Sequence, residues 1–282
     1  MTNQVAVIDK AEELKLAALL GASEERSSAS AGDRLPILKI NSKRKDEQGR
    51  KLEQGLFMLQ GGTDEPVYAS KVQIRVLSQL FQWIHFNAEE KKVENKTLMI
   101  PNFGMEARDM KGGIRCGKPT SKVLYEMPKA EQKKFEDIKC YRQLRVLVSY
   151  TGKDADGDEH TIENMPAIMF LKGANFNPFN DEVIKALPKG ANLYDYNIEV
   201  TAEELENGSV VYYVMHFKPE LKTKLGLDQP TYDTMLHMAK MIQKDNEYVD
   251  NQYKKALSDN QVTDDAIDAL DALDALEADL ED

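Results

Sequence analysis

Cations and aromatic rings recur together along this 282-residue chain. Lys71 and Arg75 precede Phe81, Trp83 and Phe86, and Arg115 and Lys118 lie in a glycine-containing loop with Lys111 and Lys122. Lys139, Arg142 and Arg145 interleave with Tyr141, and Tyr150 closes the same run. Lys39, Lys43, Arg44, Lys45, Arg50 and Lys51 surround the segment LPILKIN. Such pairing suits a single-stranded nucleic acid: cations neutralise phosphates, and flat rings stack on unpaired bases at about 1–3 kcal/mol each. The residues expected to meet phosphates are Lys71, Arg75, Arg115, Lys118, Arg142 and Arg145. Those expected to meet bases are drawn from Trp83, Phe86, Tyr141 and Tyr150. Solvated cations beside core aromatics would give the same adjacency at any single position. On a strand, Arg142 shares a face with Leu144, Val146 and Val148, while Tyr141, Gln143 and Arg145 share the other.

Other chemistries find less support. His85, His160, His216 and His237 fall in no H-E-x-x-H or H-x-E…C-x-x-C pattern, and neither a phosphate loop nor a G-x-S-x-G elbow occurs. The turn Asp154-Ala155-Asp156-Gly157-Asp158 opens like a calcium loop. Its sixth and twelfth positions, however, hold Glu159 and Met165 where that loop needs Gly and an acid. A solvated hairpin turn is the expectation. Cys116 and Cys140 have basic neighbours, which lower a thiol pKa at close range, but two ligands do not make a zinc site. The expectation is a non-enzymatic protein with no metal or cofactor, in a reducing cytoplasm. No apolar run approaches the roughly 20 residues of a membrane span. The N-terminal apolar patch contains acids and lacks the basic lead of a secretory signal, so no membrane association is expected.

A β-rich body must position these residues. Residues 1–33 read as a flexible N-terminal segment, 34–228 as a nucleic-acid-binding core, 229–257 as a C-terminal helix and 258–282 as an acidic tail. Strand patterns occur at 55–60, 67–77, 79–86 and 97–100, followed by a long polar loop at 101–121 and a short helix near 128–138. From Tyr141 the order is strand, turn, strand, helix, strand, strand, with a helix after Asn180 as N-cap and a hairpin turn at Asn207-Gly208. The fold class expected is mainly β (α+β): an OB-like five-stranded barrel with inserted loops, a C-terminal helix and a disordered acidic tail. A ferredoxin-like or sandwich arrangement would give a similar string. After Pro230, Met235, Met238, Ala239, Ile242, Val249, Tyr253 and Ala256 follow helical spacing on one face.

The charge is unevenly placed. The chain has 48 acids and 37 bases, net −11, yet residues 264–282 alone hold nine acids and no base. Setting aside those nine and Asp259 leaves 38 acids against 37 bases, a net of −1, so the acidic balance does not oppose nucleic-acid binding. Within the tail Ile267, Leu270, Leu273 and Leu276 recur every three residues, with Leu280 after them. A solubilising brush needs no such stripe; a partner-binding segment made of Leu273, Leu276, Leu280, Glu281 and Asp282, helical once docked, would use it.

The runs MPAIMFLKG at 165–173, NLYDYNIEV at 192–200 and VYYVMHF at 211–217, with the RCGKP loop at 115–119 and the acidic tail, resemble bacteriophage single-stranded DNA-binding proteins. The likeness in layout spans residues 35–282. It implies an OB-type core that coats replication or recombination intermediates, and a tail that competes with DNA for the groove and recruits phage or host replication proteins. Tails of that family often end in an aromatic residue, whereas this chain ends Leu280-Glu281-Asp282. Homo-oligomerisation and the choice between DNA and RNA stay open. Two other classes fit the same residues: a virion structural, assembly or adaptor protein without nucleic-acid binding, and a DNA mimic whose tail imitates phosphates.

Overall fold

The computed structural model describes residues 34–46, 49–63 and 65–278, with side chains described through residue 259. The chain divides into a short unit, Met1–Leu35, and a main unit, Pro36–Asp282. The N-terminal segment expected at 1–33 therefore lies outside the described residues. The main unit is mainly β, with nine strands in one sheet. They are β1 (Ile37–Ile40), β2 (Phe57–Gln60), β3 (Tyr68–Ala69), β4 (Lys71–Asn87), β5 (Lys92–Lys96), β6 (Ile138–Lys153), β7 (Glu159–Leu171), β8 (Asn197–Asn207) and β9 (Val210–Pro219). Between β5 and β6 lie two short helices, α1 (Ser121–Glu126) and α2 (Lys129–Gln132), and a long helix, α3 (Gln229–Ala278), ends the described chain.

Five of the strands form a ring. β1 pairs with β2, β2 with β3, β3 with β6 and β6 with β7, all antiparallel, and β7 returns parallel to β1 through Ile37–Ile168 and Leu38–Met169. The β3–β6 closure is tight. A Cβ on Gly152 would sit 2.3 Å from the Tyr68 carbonyl oxygen, so this position admits no side chain. The ring encloses Leu38, Phe57, Leu59, Val146, Val148, Ala167 and Met169, all of them buried. The even residues of β6 supply this inner face, as strand alternation requires.

β4 joins the ring to β8 and β9 and is continuous, where the sequence reads as two strands. The reason is a bulge: Val76 pairs with Val146, and the next pair is Ser78 with Arg145, leaving Leu77 extra. One inserted residue reverses the facing of everything beyond it. Inward residues are Ile74 and Val76 before the bulge and Phe81 after it. The helix expected after Asn180 is a five-residue π turn, Asn180–Ile184, with Phe179 at its N-cap and no side-chain cap. The segment 97–100 makes isolated bridges, Ile100 to Phe81 of β4 and Thr97 to Asp109, in place of a full strand. The Asp154 turn is the expected hairpin, its carboxylate accepting from the Asp156 and Asp158 amides at 2.9 and 3.0 Å.

α3 docks along a stripe of period 3.5, in which Thr231, Met238 and Val249 are buried and Asp245, Asn246 and Tyr253 half-buried. Asn246 clasps Met99, accepting from its amide at 2.7 Å and donating to its carbonyl at 3.1 Å. Arg108 lies over the Tyr253 ring at 5.5 Å. Ala239, expected on this stripe, is exposed. The helical backbone does not stop at 257 but runs through Ala278, which corrects the expectation of a disordered tail from 258. Residues 258–278 contain no Gly or Pro to end it and are rich in Ala and Leu, the strongest helix formers. Leu273 and Leu276 thus lie on helical backbone, while Leu280, Glu281 and Asp282 are outside the described residues.

Candidate nucleic-acid interface

Where β4 and β6 run past the main core, the bulge at Leu77 turns Phe81 and Trp83 to the same face as Arg142. Phe81 lies opposite Arg142, and Trp83 opposite Cys140. Arg142 is 4% exposed, and its guanidinium sits 5.2, 5.1 and 5.5 Å from the rings of Phe81, Phe176 and Phe179. Its Nη1 donates to Gln79 Oε1 at 2.8 Å, while Nε has no hydrogen-bond partner among the described residues. Burial holds its pKa below the ordinary guanidinium value, with Cys140 and Asp181 acting the other way. In a desolvated cage, cation–π contact is worth about 2 kcal/mol or more, which is how an unpaired cation is tolerated here.

Above this cage lies an aromatic shelf. Phe103, carried by the 101–120 loop, contacts Phe81 at 5.8 Å, Phe176 at 5.7 Å and Trp83 at 6.1 Å, the last stacked at 30°. Phe103 is 47% exposed, and Trp83 and Phe176 are half-buried. The loop is fixed to β4 by reciprocal backbone bonds between Phe81 and Ile100 at 2.8 and 2.9 Å. Phe176 is fixed from the other side. Its neighbour Asn175 donates to the Tyr213 carbonyl at 3.1 Å and accepts from the Met215 amide at 2.6 Å. Rings set in this way leave part of their surface open to solvent beside a buried positive charge, an arrangement that can take unpaired bases.

The opposite face of β6 is closed. Arg145, 5% exposed, meets Met99 Sδ at 3.3 Å, and its Nε and Nη1 lack partners among the described residues. Burial pushes its pKa down to about 10, with Asp245 of α3 acting the other way. Beside it Gln143 donates to Gln82 at 2.5 Å and Gln82 to the Thr97 carbonyl at 2.7 Å. Tyr141 shares this face: Lys172 Nζ lies 5.1 Å over its ring, and Phe170 packs edge-on at 6.2 Å.

The ten expected DNA contacts thus do not converge. Trp83 and Arg142 come together. Arg115 approaches them, close enough that its charge favours the Cys140 thiolate. Tyr141 and Arg145 lie on the other face. Arg75 is a structural clamp, donating to the carbonyls of Tyr194 and Gly226 at 2.8 and 2.6 Å and to Thr231 Oγ1 at 3.3 Å. Lys118 likewise donates to the Phe135 carbonyl at 2.9 Å and to that of Ile138, pinning the segment before β6. Tyr150 is 7% exposed, bonds the Val67 carbonyl at 3.1 Å and belongs to the core. Lys71 is an exposed partner of Glu199 at 3.3 Å, and Phe86 sits 39% exposed at the far end of β4 opposite Val93. The residues missed are Phe103, Phe176 and Phe179. Their signal was present: apolar rings within the polar runs PNFG and NFNPFN need a tertiary partner, since no strand or helix period explains them.

Basic neighbours do not activate the thiols. Burial pushes Cys116 and Cys140 up to about 12, and Cys116 donates to the Trp83 carbonyl at 3.6 Å. Among the described residues no group of three or more His, Cys, Asp or Glu side chains could hold a metal ion. No described helix is long and apolar enough to cross a membrane. No known protein family matches the chain, and no curated protein or solved structure is detectably similar to it.

Proposed function

We propose that the protein binds single-stranded DNA at the shelf of Trp83, Phe103 and Phe176. The observation that carries this reading is the burial of Arg142 in a cage whose one half-exposed ring, Phe176, packs against the 47% exposed Phe103. A purely structural cluster would bury Phe103 and Phe176 as it buries Phe81 and Phe179. Bases stack on the shelf, Arg142 polarises it from below, and Arg115 meets a phosphate at its margin. Coating of replication or recombination intermediates is the role such a site would serve, as the resemblance to the phage proteins implies. The finer reading as an OB-type barrel is supported by the five-stranded ring. The ring's strand order follows the chain, however, so the likeness is one of use more than of Greek-key connection. The acidic C-terminal stretch competes with DNA for the shelf at low salt and offers a docking segment to replication proteins.

Trp83 is the only tryptophan, so its fluorescence reports on the shelf alone. Titration with oligo-dT should quench it, with a midpoint that weakens as salt rises. Quenching by single strands but not by duplex supports the reading. An unchanged signal at low salt, in the full chain and in one ending at residue 257, would leave the assembly or adaptor role in its place.

A further inference from the structure

The cations around LPILKIN are not used by the shelf, yet one of them faces a second recess. An open cleft of about 600 Å³ lies between the β1–β2 loop and β9, lined by Arg44, Gln54, Asn175, Val210, Tyr212 and Tyr213 among others. Arg44 is exposed, donates from Nε to Gln54 at 3.0 Å and forms no ion pair among the described residues. Tyr213 is fixed at both ends. Its hydroxyl donates to Glu204 at 2.7 Å, and its ring lies on the backbone of Gly55, where an added Cβ would fall 2.6 Å from the ring. The cleft and the shelf also share one chain segment. Asn175, which lines the cleft and holds the Tyr213 carbonyl, immediately precedes Phe176. A lone cation beside a fixed ring and the exposed side chains of Val210 and Val211 matches a nucleotide's phosphate and base face. An inorganic ion would leave the apolar lining unused.

We infer that this cleft is a second subsite on the same single-stranded nucleic-acid path, with a phosphate at Arg44 and a base against Tyr213. The inference rests on the shelf being the first subsite, and it makes site size larger than the shelf alone would give.

The test compares Arg44→Ala, Tyr213→Ala and Tyr213→Phe with the parent, using labelled oligo-dT of about 4 to about 16 nucleotides. Trp83 quenching reads the shelf, and anisotropy reads total binding. The shortest oligomer should quench Trp83 equally in all four proteins. The longest should bind Arg44→Ala and Tyr213→Ala at least about fivefold more weakly, with Tyr213→Phe close to parent. The slope of log affinity on log salt should fall by about 0.7 in Arg44→Ala, one phosphate contact on a single strand. Parent-like binding of the longest oligomer by both alanine variants overturns the inference, as does an equal loss at both lengths. If Trp83 never responds while Arg44→Ala still weakens the long oligomer, the shelf reading fails and the cleft stands as a site by itself. If no oligomer binds the parent, both fall.

Discussion

Arg142 and Arg145 stand on one strand, face opposite ways, and are 4% and 5% exposed. Neither has a carboxylate within ion-pair distance among the described residues, and burial opposes the charge of both. Their coverings differ. Arg142 is caged by three phenylalanine rings, of which Phe176 is half-exposed and packs against the solvent-reaching Phe103. Arg145 is closed off by Met99, which Asn246 of α3 clasps. A buried cation on a strand therefore does not by itself mark a candidate binding face; the two sides differ in the material between the cation and water.

The largest effect expected from breaking this contrast is on stability, from the helix side. Met238 is 1% exposed, and Met238→Ala should cost about 2–4 kcal/mol in chemical denaturation. Oligonucleotide affinity, measured where the variant is folded, should stay at the parent value. A loss of affinity without a loss of stability would mean that the helix side belongs to the site.

The next effect lies on the mouth side and has the opposite signature. Phe103→Ala removes a ring that is 47% exposed. It should weaken oligo-dT binding by about 1–3 kcal/mol with the thermal midpoint within a few degrees of parent. A falling midpoint with unchanged affinity would make Phe103 a packing residue and leave the shelf without its outermost ring.

Exchange of each arginine for methionine sharpens the pair directly. Arg145→Met removes two unpartnered donors and should be neutral or stabilising by about 1 kcal/mol, with no change in binding. Arg142→Met keeps volume but discharges the cage, and should weaken binding by about 1 kcal/mol. Equal effects of the two exchanges on binding would erase the distinction between the faces.

How far the sequence anticipates this arrangement depends on where alternation holds. The opposite facing of Arg142 and Arg145, and the inward turn of Leu144, Val146 and Val148, follow from the period of two. The same parity places Tyr150 inward with Val148, so its loss as a stacking candidate was readable. The docking stripe of α3 was also legible at Met238 and Val249. The bulge at Leu77 was not, because one extra residue leaves no mark in composition while reversing every side chain beyond it. Nor could the clamp at Arg75 be foreseen, since its three acceptors lie 119 to 156 residues away. Phe176 and Phe179 escape sequence reasoning as site residues, because local pattern cannot show which rings a distant arginine will gather.

The mouth side also carries a pH dependence. The segment bearing Phe176 and Phe179 is tied to β9 a second time through Glu182. That carboxylate accepts from the Phe217 amide at 2.6 Å and meets His216 Nδ1 at 3.0 Å, while Glu203 meets Nε2 at 2.9 Å. The hydrogen bond to Glu182, then that to Glu203, raises the His216 pKa above 6.5. Protonated His216 is therefore the form the fold favours. Its contribution is complete below about pH 6.5 and is lost as pH rises through the elevated folded value. With the imidazole 43% exposed, the contribution should stay under about 1 kcal/mol. Thermal midpoints of the parent, compared with His216→Gln from about pH 5.5 to about pH 8.5, should show an advantage at the acid end that closes toward the alkaline end. Trp83 quenching by oligo-dT should follow the same trend, because a loosened Glu182 clamp lets Phe176 leave the shelf. A constant difference between the two proteins across that range would mean that His216 holds the segment by packing rather than by charge.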